Sequence, residues 1–422
     1  MTVCEIDLGD PRDPAAPAVL RPAPGGRPPT GGEVYALVRL RGRPVATAVG
    51  RIAPGEDPAR ALAALARARL AGGVPAGPPA PAAAPPRTSV VVATRERADR
   101  LARALDSLLA QDHPDFAVVV VDNAPATDAT RDLVDRAYAG RVRYVREDVP
   151  GLASAHNAGV RAADGDVVAF TDDDVVADPH WLTALTAPFA ADERLGCTTG
   201  LILPALLRTP AQILLESHGG FAKGFEPRLY DPLSPPPDQP LFPFAAGSFG
   251  SGANMAFRVR ALRDTGGFDP ATGTGTAARG GDDLYGFVSV LAAGHRLRYA
   301  PDALVWHHHR ETWQDLREQA YGYGAGLTAY LTALLVRRPA LLPAALARLP
   351  RGLAHARALT AARGAADTGA VPGQHGGAAH PWPRALSRLE RRGMLYGPVG
   401  YLRARRALSS RGVHGVPARE GR

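Results

Sequence analysis

The feature that most constrains the fold is an alternation of short apolar runs with amphipathic helices between residues 88 and 170. Helical stretches such as Arg97–Gln111 place leucines on one face. Such an alternation predicts βαβ units and a mostly parallel sheet covered by helices on both faces. The predicted strands are Ser89–Thr94, Ala117–Val121, Val142–Val145 and Val167–Phe170.

Polar residues stand at the ends of three of these strands: Thr94-Arg95, Asp122-Asn123 and Asp172-Asp173-Asp174. Ligands of parallel sheets gather at the carboxyl ends of the strands, so we expect these groups to line one crevice. Three adjacent carboxylates after a buried strand repel one another unless a cation neutralises them, and Mg²⁺ or Mn²⁺ takes such oxygen ligands. The alternative is a solvated turn in which Asp174 or Asp178 caps the next helix.

Several classes of protein are disfavoured by what the sequence lacks. It has no GxGxxG after the first strand and no GxxxxGK[ST], so phosphate neutralisation falls to a metal and to arginine. Cys4 and Cys197 form no CxxC pattern, which argues against a disulfide framework or a zinc site. The first residues do not resemble a secretory signal, and no apolar run reaches about 18 residues. We therefore expect a cytoplasmic protein.

Composition and pattern divide the chain into five segments. The Pro- and Gly-rich residues 1 to about 30 predict poor order, whereas Glu33–Ile52 predicts a β-hairpin and Asp57–Leu70 a helix capped by Asp57. Residues 1–70 thus form a small α/β unit of unknown role. The segments that follow are a Pro/Ala linker at 71–87, the main α/β domain at 88–310, a helical region at 311–360 and a basic, flexible tail at 361–422.

Positive charge is concentrated near the C-terminus. The formal net charge is +8, but Arg337–Arg422 holds 16 arginines, no lysine and three acids, which sum to +13 and leave −5 for the rest. Such a region can dock on the anionic inner face of a membrane. The alternative is a helical cover with a disordered tail. No nucleic-acid recognition module accompanies the basic residues, so we expect no nucleic-acid partner.

Several longer stretches together resemble family-2 glycosyltransferases of the GT-A fold, between Thr88 and Arg310. The nucleotide-binding half of that family is similar to SVVVATRERADRLARALDSLLAQ, VVVVDNAPATDAT and PGLASAHNAGVRAADGDVVAFTDDD. The acceptor half is similar to GSGANMAFRVRALRDTGGFDP and GGDDLYGFVSVLAAGHRLRYAPDALVWHHHR. The resemblance implies an α/β GT-A fold, an NDP-sugar donor and a divalent cation, Mn²⁺ or Mg²⁺.

The resemblance also implies roles for individual residues. Thr94, Arg95 and Asp122 would hold the nucleotide base. Asn157 would also belong to the nucleotide site. Asp172 and Asp174 match the family's D-x-D pair, in which the last aspartate contacts the metal and the first faces the ribose or the metal shell. In some relatives a histidine at the position of His307 completes the metal shell, although an exposed or core-packed histidine is the alternative reading.

Asp283 matches the family's catalytic base. Transfer with inversion needs one carboxylate to take the proton of the acceptor hydroxyl, while a metal stabilises the leaving diphosphate. The alternative is that Asp282 and Asp283 only interact with the dipole of the helix that they begin, a role that we assign to Asp282. Gly252, Ala253 and Asn254, with Asp282, would line the pocket for donor sugar and acceptor, unless SGAN is only a glycine turn.

Three departures from the family pattern narrow the expectation. His156 and Ser289 stand where relatives often have arginine, and the Gln-x-x-Arg-Trp element of processive relatives is missing. Because the Gln-x-x-Arg-Trp element is missing, we expect transfer of one sugar at a time rather than polymerisation. The resemblance implies a hexosyltransferase that acts on a hydroxyl of a glycan, glycolipid or natural product, with a lipid-linked acceptor as one option. The alternatives are a non-catalytic NDP-sugar-binding scaffold and a nucleotidyltransferase of related fold.

Overall fold

A computed structural model describes residues 1–9, 17–75, 77, 84–218, 220–348, 350–352 and 382–412. The strands are β1 Thr2–Asp7, β2 Val19–Pro22, β3 Gly32–Leu40, β4 Arg43–Ile52, β5 Thr88–Thr94, β6 Phe116–Asn123, β7 Val142–Glu147, β8 Val167–Asp172, β9 Val175–Ala177, β10 Leu195–Pro204, β11 Arg228–Tyr230, β12 Asn254–Arg258 and β13 Arg296–His307. The helices are α1 Pro58–Leu70, α2 Ala98–Leu108, α3 Ala129–Ala137, α4 Leu152–Ala162, α5 Trp181–Thr186, α6 Pro188–Ala191, α7 Pro210–Ser217, α8 Val259–Asp264, α9 Asp282–Ala292, α10 Trp313–Arg337 and α11 Arg384–Ser409.

A nine-stranded sheet forms the centre of the molecule, in the order β11-β13-β10-β12-β8-β5-β6-β7, with β9 paired to β13. Strands β8, β5, β6 and β7 run parallel, as do β10 and β13. Strand β12 runs antiparallel to both of its neighbours, β8 and β10. The predicted α/β class with a largely parallel nucleotide half is confirmed.

Strand β5 shows why this sheet must be covered on both faces. Val90 and Val92 pack in one core with the leucines of α2, whereas Val91 packs in the other core, which includes residues of α4. All three valines have no exposed surface. Alternate side chains point to opposite faces of a strand, so a continuous apolar run is stable only between two helical layers.

The N-terminal residues form a second, four-stranded sheet, in the order β2-β1-β3-β4. The expectation of poor order before residue 30 is wrong for β1 and β2, because β1 is paired on both sides and buries Cys4 and Ile6. Residues 10–16 lie outside the described part. The predicted hairpin (β3 and β4) and the helix α1 are confirmed, and the Asp57 side chain accepts a hydrogen bond from the backbone N of Arg60 at 2.7 Å.

The two sheets share a core. Tyr35 and Leu37 of β3 pack in one cluster with Leu203 of β10 and with Leu304 and Trp306 of β13. At the edge of this contact, the buried guanidinium of Arg39 binds Glu5 at 2.8 Å and Asp178 at 2.6 Å. The N-terminal unit is therefore packed against the strands that lead to the end of β13.

The C-terminal region is helical. Helix α11 lies inside the segment for which a flexible tail was expected, and it packs along α10 through glycines whose missing side chains let the two backbones approach closely. Among the described residues no single helix is long and apolar enough to span a membrane. Only the helices Trp313–Arg337 and Pro339–Arg348, which meet at a bend of 111°, are long and apolar enough when taken together. Residues 76 and 78–83 of the expected linker, and residues 353–381 and 413–422, lie outside the described part.

Candidate active site

Two carboxylates and one imidazole meet at the carboxyl end of β8. Asp172 ends β8, Asp174 follows two residues later, and His307 ends β13. The pairing of β9 with β13 places His307 opposite Val175, and the backbone N of His308 donates to the backbone O of Asp174 at 2.9 Å. One potential ligand atom from each of the three side chains lies within 4.8 Å of the other two. The structure thus brings together the three residues predicted to hold a metal.

The electrostatics of this cluster fit a hard cation. Burial, reinforced by the neighbouring Asp174, raises the pKa of Asp172 to about 7. Burial would also raise the pKa of Asp174, but His307, Arg97 and Arg100 lower it below its usual range. Asp174 Oδ1 is buried, lies 3.3 Å from His307 Nε2 and accepts no hydrogen bond from the described residues. A buried carboxylate oxygen without a donor is a suitable ligand for Mg²⁺ or Mn²⁺.

The middle aspartate has a different role. Asp173 is buried, accepts a hydrogen bond from Thr94 Oγ1 at 2.7 Å and binds Arg97 Nη1 at 3.1 Å. It therefore ties the end of β5 and the start of α2 to the end of β8. The Thr94 hydroxyl is occupied by this contact, and its role toward a nucleotide base stays a prediction.

The other nucleotide candidates occupy different environments. Asp122 is fully buried, accepts a hydrogen bond from Tyr144 Oη at 2.9 Å, and leaves Oδ1 without a donor among the described residues. Burial raises its pKa. Arg95 is exposed beyond the end of β5. Asn157 is buried and uses both ends of its amide on the backbone of Phe268, at 2.8 and 2.9 Å, so the structure does not bring it into an open nucleotide pocket.

Asp283 is held by two backbone N–H groups at the start of α9. Its Oδ2 accepts from Gly252 N at 2.9 Å, and its Oδ1 accepts from Leu284 N at 2.8 Å. Burial, followed by the charge of Asp282, raises the pKa of Asp283 to about 6. Asp282 is itself buried and lies 3.1 Å from His156 Nδ1. A fixed carboxylate with a pKa near neutrality has the properties of a general base.

The pairing of β12 with β8 brings the segment that binds Asp283 to the end of the strand that carries Asp172. Asn254 begins β12 opposite Thr171, the residue before Asp172, and Thr171 Oγ1 donates to the backbone O of Ala253 at 2.8 Å. Gly252, which binds Asp283, therefore lies beside the end of β8. The two halves predicted from the sequence meet at one place in the molecule.

Asn254 itself does not face that space. Its amide N donates to Leu201 O at 2.9 Å and Ala303 O at 2.7 Å, and its amide O accepts from Trp181 Nε1 at 2.8 Å. The side chain has no exposed surface. The structure therefore uses it to join β12 to β10, β13 and α5. Ala253 is also buried, in one of the two cores of the central sheet, so of the three SGAN residues predicted for the pocket only Gly252 contacts Asp283.

Comparison with known families shows to which family the chain belongs. The family model described as "Glycosyl transferase family 2" matches residues 89–266 of the chain. A second family model, described as "Glycosyl transferase family group 2", matches residues 242–363. The chain belongs to glycosyl transferase family 2. The GT-A fold that the sequence resemblance implied is thereby confirmed together with the observed sheet.

This family-2 chain is similar to other glycosyltransferases over part of its length. A pre-mycofactocin glycosyltransferase of Mycobacterium tuberculosis is 29% identical over 256 residues, which cover 60% of this chain and 48% of that protein. A validoxylamine A glucosyltransferase of Streptomyces hygroscopicus is 41% identical over 125 residues, 27% of this chain and 29% of that protein. The chain thus matches about half or less of the length of these relatives. A mannosyltransferase from Pyrobaculum calidifontis, solved with GDP-Man and Mn²⁺, has a TM-score of 0.45 at 21% identity and covers 77% of this chain and 89% of its own.

The sequence reasoning did not single out three basic residues near the site of this family-2 chain: Lys223, Arg97 and Arg100. Lys223 is the chain's only lysine, and it lies near enough to Asp283 for the carboxylate to oppose the lowering of its pKa by burial. Its loop is fixed by a hydrogen bond from Tyr299 Oη to Gly224 O at 2.8 Å. Its being the only lysine among so many arginines is the signal that could have pointed to Lys223. No feature of the sequence sets Arg97 and Arg100 apart from the other arginines.

Proposed function

We propose that this protein transfers a hexose from an NDP-sugar to an acceptor hydroxyl, with inversion at the anomeric carbon and with the help of a divalent cation. The observation that carries the proposal is the pairing of two sites: the cluster of Asp172, Asp174 and His307, and the separately held carboxylate of Asp283 beside Gly252. The first set of groups suits a metal and a diphosphate. The second suits an incoming alcohol.

The cluster would hold the cation through Asp174 and His307, with Asp172 facing the metal shell or the ribose. When bound, a divalent cation supplies positive charge for the departing nucleoside diphosphate. Arg97 and Arg100 lie beside Asp174 and add positive charge at the same edge. Asp122 and Arg95, at the ends of the neighbouring strands, would receive the nucleotide base.

Asp283 would take the proton of the acceptor hydroxyl as that oxygen attacks the anomeric carbon. Its two backbone donors fix the carboxylate in place. The alcohol oxygen would form its bond to the anomeric carbon on the face opposite the diphosphate, while the bond from that carbon to the diphosphate oxygen breaks. Without a covalent sugar–enzyme intermediate, the configuration inverts. A nucleotidyltransferase would need a glycine-rich phosphate loop after β5, which this sequence lacks.

The test is Asp283→Asn. The amide keeps the shape of the side chain but cannot accept a proton, so we expect transfer to fall by about 10²- to 10⁴-fold. Binding of the NDP-sugar, followed by calorimetry, should remain within about threefold of the unaltered protein. Asp106→Asn is a matched control. Asp106 accepts a hydrogen bond from Tyr138 Oη at 2.9 Å and takes no part in the proposed site. Turnover of Asp283→Asn at the rate of the unaltered protein would refute the assignment.

We also propose that helix α11 brings the enzyme to an anionic lipid surface, where a lipid-linked acceptor would be available. Leu395, Val399 and Leu402 are 82%, 46% and 45% exposed and recur at helical spacing. Exposed arginines flank this stripe on the same helix. An apolar stripe bordered by arginine suits the interface of an anionic bilayer.

A further inference from the structure

A chain of buried polar side chains runs from the N-terminal sheet to His307. His307 Nδ1 lies 3.0 Å from His309 Nδ1, and His309 Nε2 lies 3.2 Å from Glu216 Oε2. Tyr35 Oη donates to the other oxygen, Glu216 Oε1, at 3.1 Å. Tyr35, Glu216 and His309 are 2%, 6% and 3% exposed, so water does not compete for these contacts.

The donors and acceptors in this chain can be satisfied in one direction. The hydroxyl of Tyr35 and a ring N–H of His309 both donate to the Glu216 carboxylate, which accepts only. His309 then has its N–H on Nε2 and a lone pair on Nδ1. That lone pair accepts from His307 Nδ1–H, so Nε2, which faces Asp174 Oδ1 at 3.3 Å, is the nitrogen through which neutral His307 can ligate a cation.

Each member of the chain comes from a different element. Tyr35 belongs to β3, Glu216 to α7, and His309 follows β13. The backbone O of His309 accepts a hydrogen bond from Gln212 Nε2 at 3.1 Å, which fixes it to the same helix as Glu216. The ring of Phe221 covers both histidines, with centroids 5.2 and 5.6 Å away.

We propose that Tyr35, Glu216 and His309 are positioning residues for the metal ligand His307, and that the N-terminal sheet is part of the metal centre's support. The inference rests on the proposed metal site. It also gives a role to the contact of β3 with α7, because β3 carries the Tyr35 that fixes Glu216. Glu216 in turn sets the tautomer and the orientation of the two histidines. Partners behind a metal-bound histidine raise its affinity for the ion in this way.

The test measures Mn²⁺ binding directly, by the loss of the free-ion EPR signal, with Mn²⁺ alone and with UDP or GDP added. Glu216→Gln should raise the Kd for Mn²⁺ by about 10- to 100-fold. Tyr35→Phe should raise it by about 3-fold, the equivalent of one weak hydrogen bond. Tyr138→Phe is the matched control, because it also removes a tyrosine–carboxylate hydrogen bond, to Asp106, and should leave the Kd unchanged.

A double-mutant cycle separates positioning from general loss of stability. In a His307→Ala background, Glu216→Gln and Tyr35→Phe should change the Kd by less than about 2-fold, because they act through His307. Unaltered Kd values in both single variants, or undiminished effects without His307, would overturn the inference while the metal site stands. If the unaltered protein bound no Mn²⁺ even with UDP or GDP, the proposed metal site would itself be refuted.

Discussion

At the scale of single residues, the site depends on carboxylates whose surroundings differ although their chemistry is the same. Asp172, Asp173 and Asp174 are adjacent, yet Asp173 is bonded to Thr94 and Arg97, whereas Asp174 faces His307. The sequence predicted that a cation would be needed at this point. The resemblance singled out Asp172 and Asp174 as the D-x-D pair, but the hydrogen bonds that occupy Asp173 could not be predicted, because they depend on the position of α2.

The pKa of Asp283 leads to a prediction about pH. A general base must be unprotonated, and burial raises the pKa of this carboxyl to about 6. At saturating Mn²⁺, kcat should therefore fall about tenfold per pH unit below that value and level off above it. Initial rates between about pH 5 and pH 8 provide the measurement. A rate that stays constant down to about pH 5 would exclude Asp283 as the group that takes the proton.

At the scale of elements, local patterns foretold most of the central sheet but not the partners of distant segments. The hairpin β3–β4 and helix α1 follow from local periodicity and from the cap at Asp57. Strand β1 pairs in parallel with β3, a contact between segments about 30 residues apart that no local signal reports. Helix α11 was missed for the same reason, since its stability comes from α10.

The contact between α10 and α11 gives the second prediction. A Cβ on Gly397 would overlap the backbone O of Ala325, and one on Gly393 would lie 2.8 Å from Ala325 N. At a solvent-exposed position inside a helix, Gly→Ala raises the free energy of unfolding by about 1 kcal/mol. Here the backbone clash outweighs that gain, so Gly397→Ala should destabilise by about 1–3 kcal/mol.

Thermal unfolding and limited proteolysis would measure this effect. Gly72→Ala is the control, because a Cβ there meets no atom within 4 Å. A Gly397→Ala protein with a raised Tm would show that the two helices do not pack closely.

At the scale of the whole molecule, the N-terminal sheet packs against β10 and β13. Helices α10 and α11 pack against α7, the helix that binds His309 beyond the end of β13. The sequence predicted the site residues of the central sheet through a family resemblance. It assigned no role to residues 1–70, because the contacts of Tyr35 with Glu216 of α7 and of Arg39 with Asp178 span 181 and 139 residues. Asn254 shows that a motif match can also mislead. The sequence predicted this residue for the substrate pocket, but its side chain joins strands instead.

The exposed stripe of α11 predicts vesicle binding by the whole protein. Cosedimentation should increase with phosphatidylglycerol content, because each arginine near an anionic surface contributes up to about 1 kcal/mol. Leu395→Glu should weaken binding to these vesicles, since it places a negative charge on the apolar stripe. Vesicles of phosphatidylcholine alone are the control. Equal binding to both lipids, or no effect of Leu395→Glu, would contradict membrane docking through this helix.

In the proposed mechanism, the cluster of Asp172, Asp174 and His307 holds a cation, and the cation in turn holds the donor. Thermal unfolding with a panel of UDP- and GDP-sugars, with Mn²⁺ or with EDTA, measures whether donor binding depends on the cation. A ligand at about 100 times its Kd stabilises the folded state by about 2.7 kcal/mol. We predict that at least one NDP-sugar raises the Tm with Mn²⁺, and that EDTA or Asp174→Asn removes the rise. An equal rise of the Tm in EDTA, or in Asp174→Asn, would show that donor binding does not depend on a cation at these residues.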